Sequence, residues 1–393
     1  MFDFDMLGLA PALAEALKRI GFTEPTPIQN QAIPLALQGH DILGLAQTGT
    51  GKTLAFGLPL INHLLEQPGR PDPKTAKALI LAPTRELVNQ IAESLKTMTT
   101  GTRLRVVTVV GGQSINKQIA LLMRGTDILV ATPGRLIDLM DRRAVDLGQV
   151  RHLVLDEADQ MLDMGFIHAL RRIAPHLGTP RQTMLFSATM PKQMEELAGA
   201  YLTNPRRVQV APPGKAADKV KQSIRFMEKA GKPAVLRQLL SQDLDALTLV
   251  FARTKHGAEK LMKDLVRDGY NAASIHGNKS QGQRDRAIKA FRDGEVTVLV
   301  ATDVAARGID IPDVAYVINY DLPEVPDNYV HRIGRTARAG RTGEAIAFCA
   351  PEEIDLLVQI EKVMKMEIPV AGGTRPEGAG VPQAPRRKGG GGG

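Results

Sequence analysis

The sequence predicts an α/β protein of two lobes, each a mostly parallel sheet flanked by helices, with a cleft between them. Three observations lead there. Short apolar runs alternate with segments of helical period, and the pattern is written twice along the chain. A glycine-rich turn ending in Lys-Thr stands where the first apolar run gives way to a helix. The chain has 393 residues, long for one domain and comfortable for two.

In the first half, strands are expected at 41–46, 78–82, 106–110, 127–131, 152–155 and 183–186, with helices over 86–98, 114–123 and 134–140 among those between them. In the second half, strands are expected at 223–226, 248–251, 272–275, 296–301, 314–319 and 345–349, with helices over 255–267, 282–291 and 351–364. Sheets of this kind bind ligands at the carboxyl ends of their strands. Residues 210–219 are rich in Pro, Gly and Ala and follow neither period, so they are expected to link a first lobe (1–209) to a second (220–371). Residues 372–393 turn to Gly, Pro and basic residues and end in five glycines. They carry Arg375, Arg386, Arg387 and Lys388 against Glu377, and a disordered basic tail is expected.

Composition narrows the function. Hydrophobic residues make up 43% of the chain, enough for ordinary buried cores. The formal charge of +8 suits a polyanion partner. The single cysteine, Cys349, excludes a disulfide framework and cannot by itself build a zinc site; its apolar neighbours predict a buried strand thiol. No run of about 18 apolar residues exists to span a membrane, and the beginning Met1-Phe2-Asp3-Phe4-Asp5 is acidic rather than signal-like. A reducing, aqueous compartment, the cytoplasm, is expected.

Two motifs carry chemistry. Ala46-Gln47-Thr48-Gly49-Thr50-Gly51-Lys52-Thr53 follows a strand and opens a helix, the context a phosphate-binding loop needs. Its glycines let backbone N–H groups turn toward phosphate oxygens, and the helix adds its positive end. Lys52 would reach the terminal phosphates of ATP and Thr53 would ligate Mg2+. Ala46 stands where the usual pattern has Gly. Leu153-Val154-Leu155 then runs into Asp156-Glu157-Ala158-Asp159. Carboxylates at a strand end beside such a loop can hold a hydrated Mg2+ and polarise a water, and these roles fall to Asp156 and Glu157.

With these motifs in place the chain resembles the DEAD-box ATP-dependent RNA helicases over nearly its full ordered length. Asp156-Glu157-Ala158-Asp159 is the tetrad that names the family, and the lobes it implies are RecA-like. Pro25-Thr26-Pro27-Ile28-Gln29 looks like the family's adenine-recognition segment, which makes Gln29 the reader of the adenine edge and Phe22 the stacking ring. Ser187-Ala188-Thr189 matches the motif coupling turnover to strand separation, with both hydroxyls placed to hydrogen-bond Asp159. In the second half, Ala301-Thr302-Asp303, Arg307-Gly308-Ile309-Asp310 and His331-Arg332-Ile333-Gly334-Arg335-Thr336-Ala337-Arg338 resemble the remaining motifs. The resemblance puts Asp310 near the ribose, Arg335 and Arg338 at the γ-phosphate, and His331 with the coupling residues. His331, Arg335 and Arg338 have the spacing of one helix face. Ala337 departs from the family's more usual Gly. The basic Gly/Pro tail, compact core and short acidic beginning look most like the bacterial RhlE-type branch.

The resemblance also implies an RNA path. It takes in Thr84, Arg85, Gly112, Thr132 and Arg135 in the first lobe, and Arg253, Gly277, Arg284, Thr302 and Gly308 in the second. These groups suit phosphates and ribose hydroxyls rather than base edges, so little sequence preference is expected. An aromatic content of 4% without Trp argues against a base-stacking platform. The expected activity is RNA-stimulated ATP hydrolysis that separates duplexes or remodels RNA–protein complexes. A clamp that does not unwind and a DNA translocase are the rival readings. Ribosomal precursors and the RNA-decay machinery are the candidate partners, with a monomeric protein and no membrane.

Overall fold

The computed structural model describes residues 4–46, 49–67, 69–210, 220–306, 314–336 and 343–376. Within them the chain forms two compact units, one up to residue 210 and one from residue 220. The expected linker lies outside the described residues apart from Val210, and the expected tail apart from 372–376.

The first unit is a seven-stranded sheet in the order β3-β4-β2-β5-β6-β1-β7, every pairing parallel. Its strands are β1 (Ile42–Leu45), β2 (Ala76–Leu81), β3 (Val106–Val109), β4 (Thr126–Ala131), β5 (His152–Leu155), β6 (Gln182–Ser187) and β7 (Arg206–Gln209). Six lie where apolar runs predict them. The seventh escapes prediction because Arg-Arg-Val-Gln offers one apolar residue; β7 is an edge strand that buries only Val208.

Side chains alternate across this sheet and so feed two cores. Ile42, Ile80, Val130, Val154 and Phe186 pack on one side with helices α1 (Pro11–Arg19), α2 (Pro27–Leu37), α3 (Lys52–Glu66) and α4 (Arg85–Met98). Leu43, Leu81, Leu129, Leu155 and Leu185 pack on the other with α6 (Pro133–Asp141), α7 (Ala158–Asp163), α8 (Ile167–Ile173) and α9 (Lys192–Tyr201). Between the fourth and sixth of these runs α5 (Ile115–Leu122). Each fully buried aliphatic side chain contributes about 1.5–3 kcal/mol. Gly44 sits where a Cβ would lie 2.5 Å from the Phe186 ring, so the loop-bearing strand β1 needs Gly there for β6 to pack beside it.

The second unit repeats the plan with strands β8 (Lys221–Phe226), β9 (Thr248–Phe251), β10 (Ala272–Ile275), β11 (Val298–Ala301), β12 (Tyr316–Asn319), β13 (Glu344–Cys349) and β14 (Val370–Gly372). Their order is β10-β11-β9-β12-β13-β8-β14, again parallel. One core joins Ile224, Ala345 and Cys349 to Tyr329 and Leu357; the other joins Val250, Val300 and Phe348 to Leu236 and Leu261. Cys349 is buried on its strand as expected, and burial pushes its thiol up to about 12. Pairing runs past the expected boundary at 371: β14 lies along β8, and Arg375 forms ion pairs with Glu361 and Glu367. Because each sheet is parallel throughout, all carboxyl ends in a unit share one edge, and several of the expected site residues that the structure describes follow strands there.

Candidate functional site

β6 lies between β1 and β5, with Leu45 opposite Ser187 and Leu155 opposite Leu185. Strands are about 4.8 Å apart. The loop after β1, the acidic turn after β5 and the Ser-Ala-Thr turn after β6 therefore emerge side by side.

Gly49 and Gly51 take φ of 84° and 90°, the left-handed conformation that lets the loop curl before α3 begins at Lys52. Gln47 and Thr48 lie outside the described residues. Gln29 braces the turn: its Nε2 donates to the Gly51 carbonyl at 3.0 Å, while its Oε1 accepts from the Thr26 N–H at 2.9 Å. Each end of an amide has capacity for one further bond, so the adenine-reading role stays compatible with this bracing. Phe22 is 45% exposed just ahead of α2, a ring open to stacking.

Lys52 is 6% exposed and forms an ion pair with Asp156 at 3.6 Å, beyond hydrogen-bond distance. Burial opposes its charge, but Asp156, Glu157 and Asp159 together outweigh that and leave its pKa raised. Burial pushes the Asp156 carboxyl up to about 6, against the lowering pull of Lys52. Glu157, 2% exposed, sits at φ 51°, ψ 50°. A left-handed conformation costs a non-glycine residue roughly 1–2 kcal/mol, and such strain concentrates at working sites. The Glu157 N–H donates to Asp156 Oδ1 at 2.9 Å, which fixes the Asp156 carboxylate against the backbone of the acidic turn. Thr53 is half-buried in the first turn of α3.

Asp159 is the hub behind them. Its Oδ2 accepts from the Ala188 N–H at 3.1 Å, the Thr189 N–H at 2.9 Å and the Thr189 hydroxyl at 3.0 Å; Oδ1 accepts from the Gln160 N–H. Thr189 therefore reaches Asp159 as expected, but Ser187 does not. The Ser187 hydroxyl, fully buried, donates instead to the Thr189 carbonyl at 2.7 Å, because two residues along the turn bring that oxygen closer.

The other expected residues of the first unit share its carboxyl edge. Thr84 follows β2 and caps α4, its hydroxyl accepting from the Leu87 N–H. The Arg85 guanidinium lies against Gly111 and Gly112, the latter at φ 71°. Thr132 follows β4 at the start of α6, and Arg135 donates to the Gln113 carbonyl at 3.1 Å. Thr84, Arg85, Gly112, Thr132 and Arg135 thus form one patch.

In the second unit Arg253, Gly277 and Thr302 follow β9, β10 and β11 respectively. Arg253 is pinned: its guanidinium meets Glu353 and the Leu322 carbonyl, and its N–H donates to Asp321. Glu353 also takes Lys232 Nζ at 2.6 Å, and Lys232 is 1% exposed. This buried network went unread because Lys232 and Glu353 stand 121 positions apart. Arg284 donates to the Ala305 carbonyl at 3.3 Å. Arg332 makes a two-pronged pair with Asp303 at 2.5 and 2.8 Å, also reaches Asn319 and stacks 4.8 Å from the Phe251 ring. The expectation that His331, Arg335 and Arg338 share a helix face is corrected. The helix Pro326–Ile333 ends at Gly334, and Thr336 instead bridges to Val314, so Arg335 stands past the helix end, buried. Gly308, Asp310 and Arg338 lie outside the described residues.

Known proteins align with this arrangement. The family described as DEAD/DEAH box helicase matches residues 26–197, and the helicase conserved C-terminal domain matches residues 231–340. A DEAD-box ATP-dependent RNA helicase CshA of Bacillus licheniformis is 44% identical over 93% of this chain and 74% of its own length. A CshA helicase of Geobacillus kaustophilus is 42% identical over 94% of this chain and 78% of its own. Among solved structures, S. cerevisiae Dbp5 bound to RNA and ADP BeF3 is similar, with a TM-score of 0.84 and 34% identity over 94% of this chain and 95% of that one. Mss116p bound to ssRNA and AMP-PNP has the same TM-score at 29% identity, covering 96% of this chain and 81% of that one. With both halves matched in order and its own Asp-Glu-Ala-Asp after β5, this chain belongs to the DEAD-box members of the DEAD/DEAH box helicase family.

Proposed function

We infer that this protein is an RNA-stimulated ATPase that uses ATP to separate RNA duplexes or remodel RNA–protein complexes. The observation that carries the reading is the buried cluster Lys52, Asp156 and Glu157, with Glu157 strained, at the mouth of a phosphate-type loop. A core that only needed packing would place an apolar residue there, because buried charges are costly unless they do chemistry or pair fully.

We propose that the loop and Lys52 hold the phosphates, and that Gln29 and Phe22 hold the adenine. Thr53 and Asp156 offer the hard oxygen donors that Mg2+ accepts alongside phosphates, Asp156 through water, and the ion would neutralise phosphate charge. Glu157 polarises the attacking water. Arg335 and Arg338 supply charge to the transition state from the second unit, with Asp310 at the ribose. Asp159, Ser187, Thr189 and His331 couple turnover to RNA. RNA runs over Thr84, Arg85, Gly112, Thr132 and Arg135, and over Gly277, Arg284, Thr302 and Gly308. Arg253 serves that path by fixing the β9 end, since its guanidinium is already engaged with Glu353.

The basic Gly/Pro-rich stretch supports an RhlE-type member, while the relatives compared above carry CshA names. We propose further that it acts as a monomer in the cytoplasm on ribosomal precursors or decaying RNA; the charge of +8 suits the RNA. Among the described residues no helix is long and apolar enough to cross a membrane. The test is ATPase activity with and without RNA, alongside unwinding of a short RNA duplex. Wild type should show stimulation and unwinding, and Lys52→Ala neither. Stimulation without unwinding would make the protein a clamp, and equal stimulation by DNA would overturn RNA selectivity.

A further inference from the structure

The second unit carries an organised anion that the readings above leave unused. Glu259 lies one turn into the helix Lys255–Arg267, which follows β9 and its Arg253. Its Oε2 accepts from the Ser274 hydroxyl at 2.7 Å, from His276 Nε2 at 3.0 Å and from Lys279 Nζ at 2.8 Å. Ser274 is on β10, and His276 and Lys279 flank Gly277 in the loop that follows. Three donors from one short stretch thus converge on a single carboxylate oxygen.

The loop's other bonds agree with this anchoring. The Asn278 N–H donates to His276 Nδ1 at 3.3 Å. That assigns the proton to Nε2, so a neutral imidazole satisfies both partners. The Lys279 N–H donates to the His276 carbonyl, and Ser280 caps the next helix, Gln281–Arg292, which bears Arg284. Lys255 Nζ donates to Asn278 Oδ1 at 3.1 Å. Ammonium groups from both sides therefore gather at the loop, and Glu259 is the carboxylate shared by its His and Lys. The Lys279 and His276 bonds hold the Glu259 carboxyl down at about 2, so it stays charged throughout the physiological range. At the neighbouring strand end, the Thr302 N–H donates to the Ile275 carbonyl, joining the loop's root to the next expected RNA contact.

We propose that Glu259 is a positioning residue for RNA binding, fixing the 276–280 loop and the Lys279 ammonium beside Gly277 so that backbone and cation meet a phosphate. This rests on the RNA reading above. Glu259 touches neither nucleotide nor RNA. It lets Lys255 and Lys279 approach each other without their repulsion splaying the loop, and it limits the entropy lost when RNA binds. A phosphate arriving at Lys279 meets a cation already aimed and only partly neutralised.

The experiment compares wild type with Glu259→Ala, Glu259→Gln, Lys279→Met and the Glu259→Gln/Lys279→Met pair in the full chain, using a single-stranded RNA homopolymer. Glu259→Ala should raise the RNA concentration for half-maximal ATPase stimulation about tenfold, with turnover at saturating RNA and RNA-free nucleotide affinity within twofold of wild type. Glu259→Gln keeps acceptors for Ser274 and His276 but not the charge for Lys279, and should fall between. Lys279→Met should lower the slope of log affinity against log salt by about one contact. The pair should match Lys279→Met alone, because the carboxylate acts through that ammonium. Additive losses, or Glu259→Ala binding RNA within twofold of wild type, overturn the proposal. Should Glu259→Ala not fold, the Gln variant and the pair decide by the same criterion. Absence of RNA stimulation in wild type would instead sink the RNA reading itself.

Discussion

Thr189→Val tests whether Asp159 is the mechanical link between the acidic turn and the Ser-Ala-Thr turn. Valine keeps the shape and removes one of the three donors on Asp159 Oδ2, leaving the N–H groups of Ala188 and Thr189. A hydrogen bond to a charged group contributes about 1.5–3 kcal/mol, and the remaining two donors keep the carboxylate satisfied. In a unit of this size each kcal/mol moves the thermal midpoint by about 2–4 °C, so a drop of roughly 3–12 °C is expected. Lys52, Asp156 and Glu157 keep their own contacts, so ATPase turnover at saturating RNA should stay within about threefold, while duplex unwinding should fall at least tenfold, through lost coupling in a hydrogen-bonded network. Calorimetry, a coupled ATPase assay and a gel-based unwinding assay on the same preparations suffice. Ser187→Ala is the control: it orphans only the Thr189 carbonyl and should cost stability with a smaller loss of unwinding. If Thr189→Val loses both activities by the same factor, the hydroxyl is structural and the coupling argument fails.

Glu157→Gln should retain nucleotide and RNA binding but hydrolyse about 10²–10⁴-fold more slowly in a single turnover, since the amide keeps the shape and loses the base; a wild-type rate would remove Glu157 from the chemistry. Gly51→Ala places a Cβ 2.5 Å from Gln29 Nε2 at a φ of 90°, so it should displace Gln29 and weaken ATP binding at least tenfold by equilibrium titration; unchanged affinity would show that the Gln29 brace is dispensable. Arg335→Ala should cut RNA-stimulated turnover by about 10³–10⁵ with little change in RNA-free nucleotide affinity, because a finger contributes to the transition state; a drop in affinity alone would make it a ground-state contact. His152 is driven down to about 4 by burial, with His63 adding to it. Because the folded pKa lies below the unfolded 6.5, the stability from keeping this ring neutral is fully present above pH 6.5 and is lost as pH falls through 4, about 3 kcal/mol in all. His152→Asn should flatten the thermal midpoint between those pH values, and an unchanged slope would assign the acid sensitivity elsewhere.

Much of this protein was determined locally. Twelve of the strands lie where the sequence marks them, most plainly the central ones, because a strand buried on both faces must be a short continuous apolar run, as Leu153-Val154-Leu155 is. The phosphate loop is legible because its glycines, lysine and threonine act within a few residues of one another, and the acidic turn because it caps an apolar strand. What escaped depends on partners far apart in sequence. β7 and β14 exist only because a neighbouring edge accepts them; β7 carries a single apolar residue and β14 spans only three residues, so neither marks itself. Helical spacing alone put Arg335 on a helix that Gly334 ends, where Thr336 turns to pair with Val314. Lys232, Glu353 and Asp321 look like ordinary surface charges until the fold buries the lysine among the carboxylates, and Glu259 looks like one more exposed helix residue. Residue types and short-range spacing decide what can be done with a phosphate. Which carboxylate steadies which cation depends on strand order, and only the assembled sheet sets it.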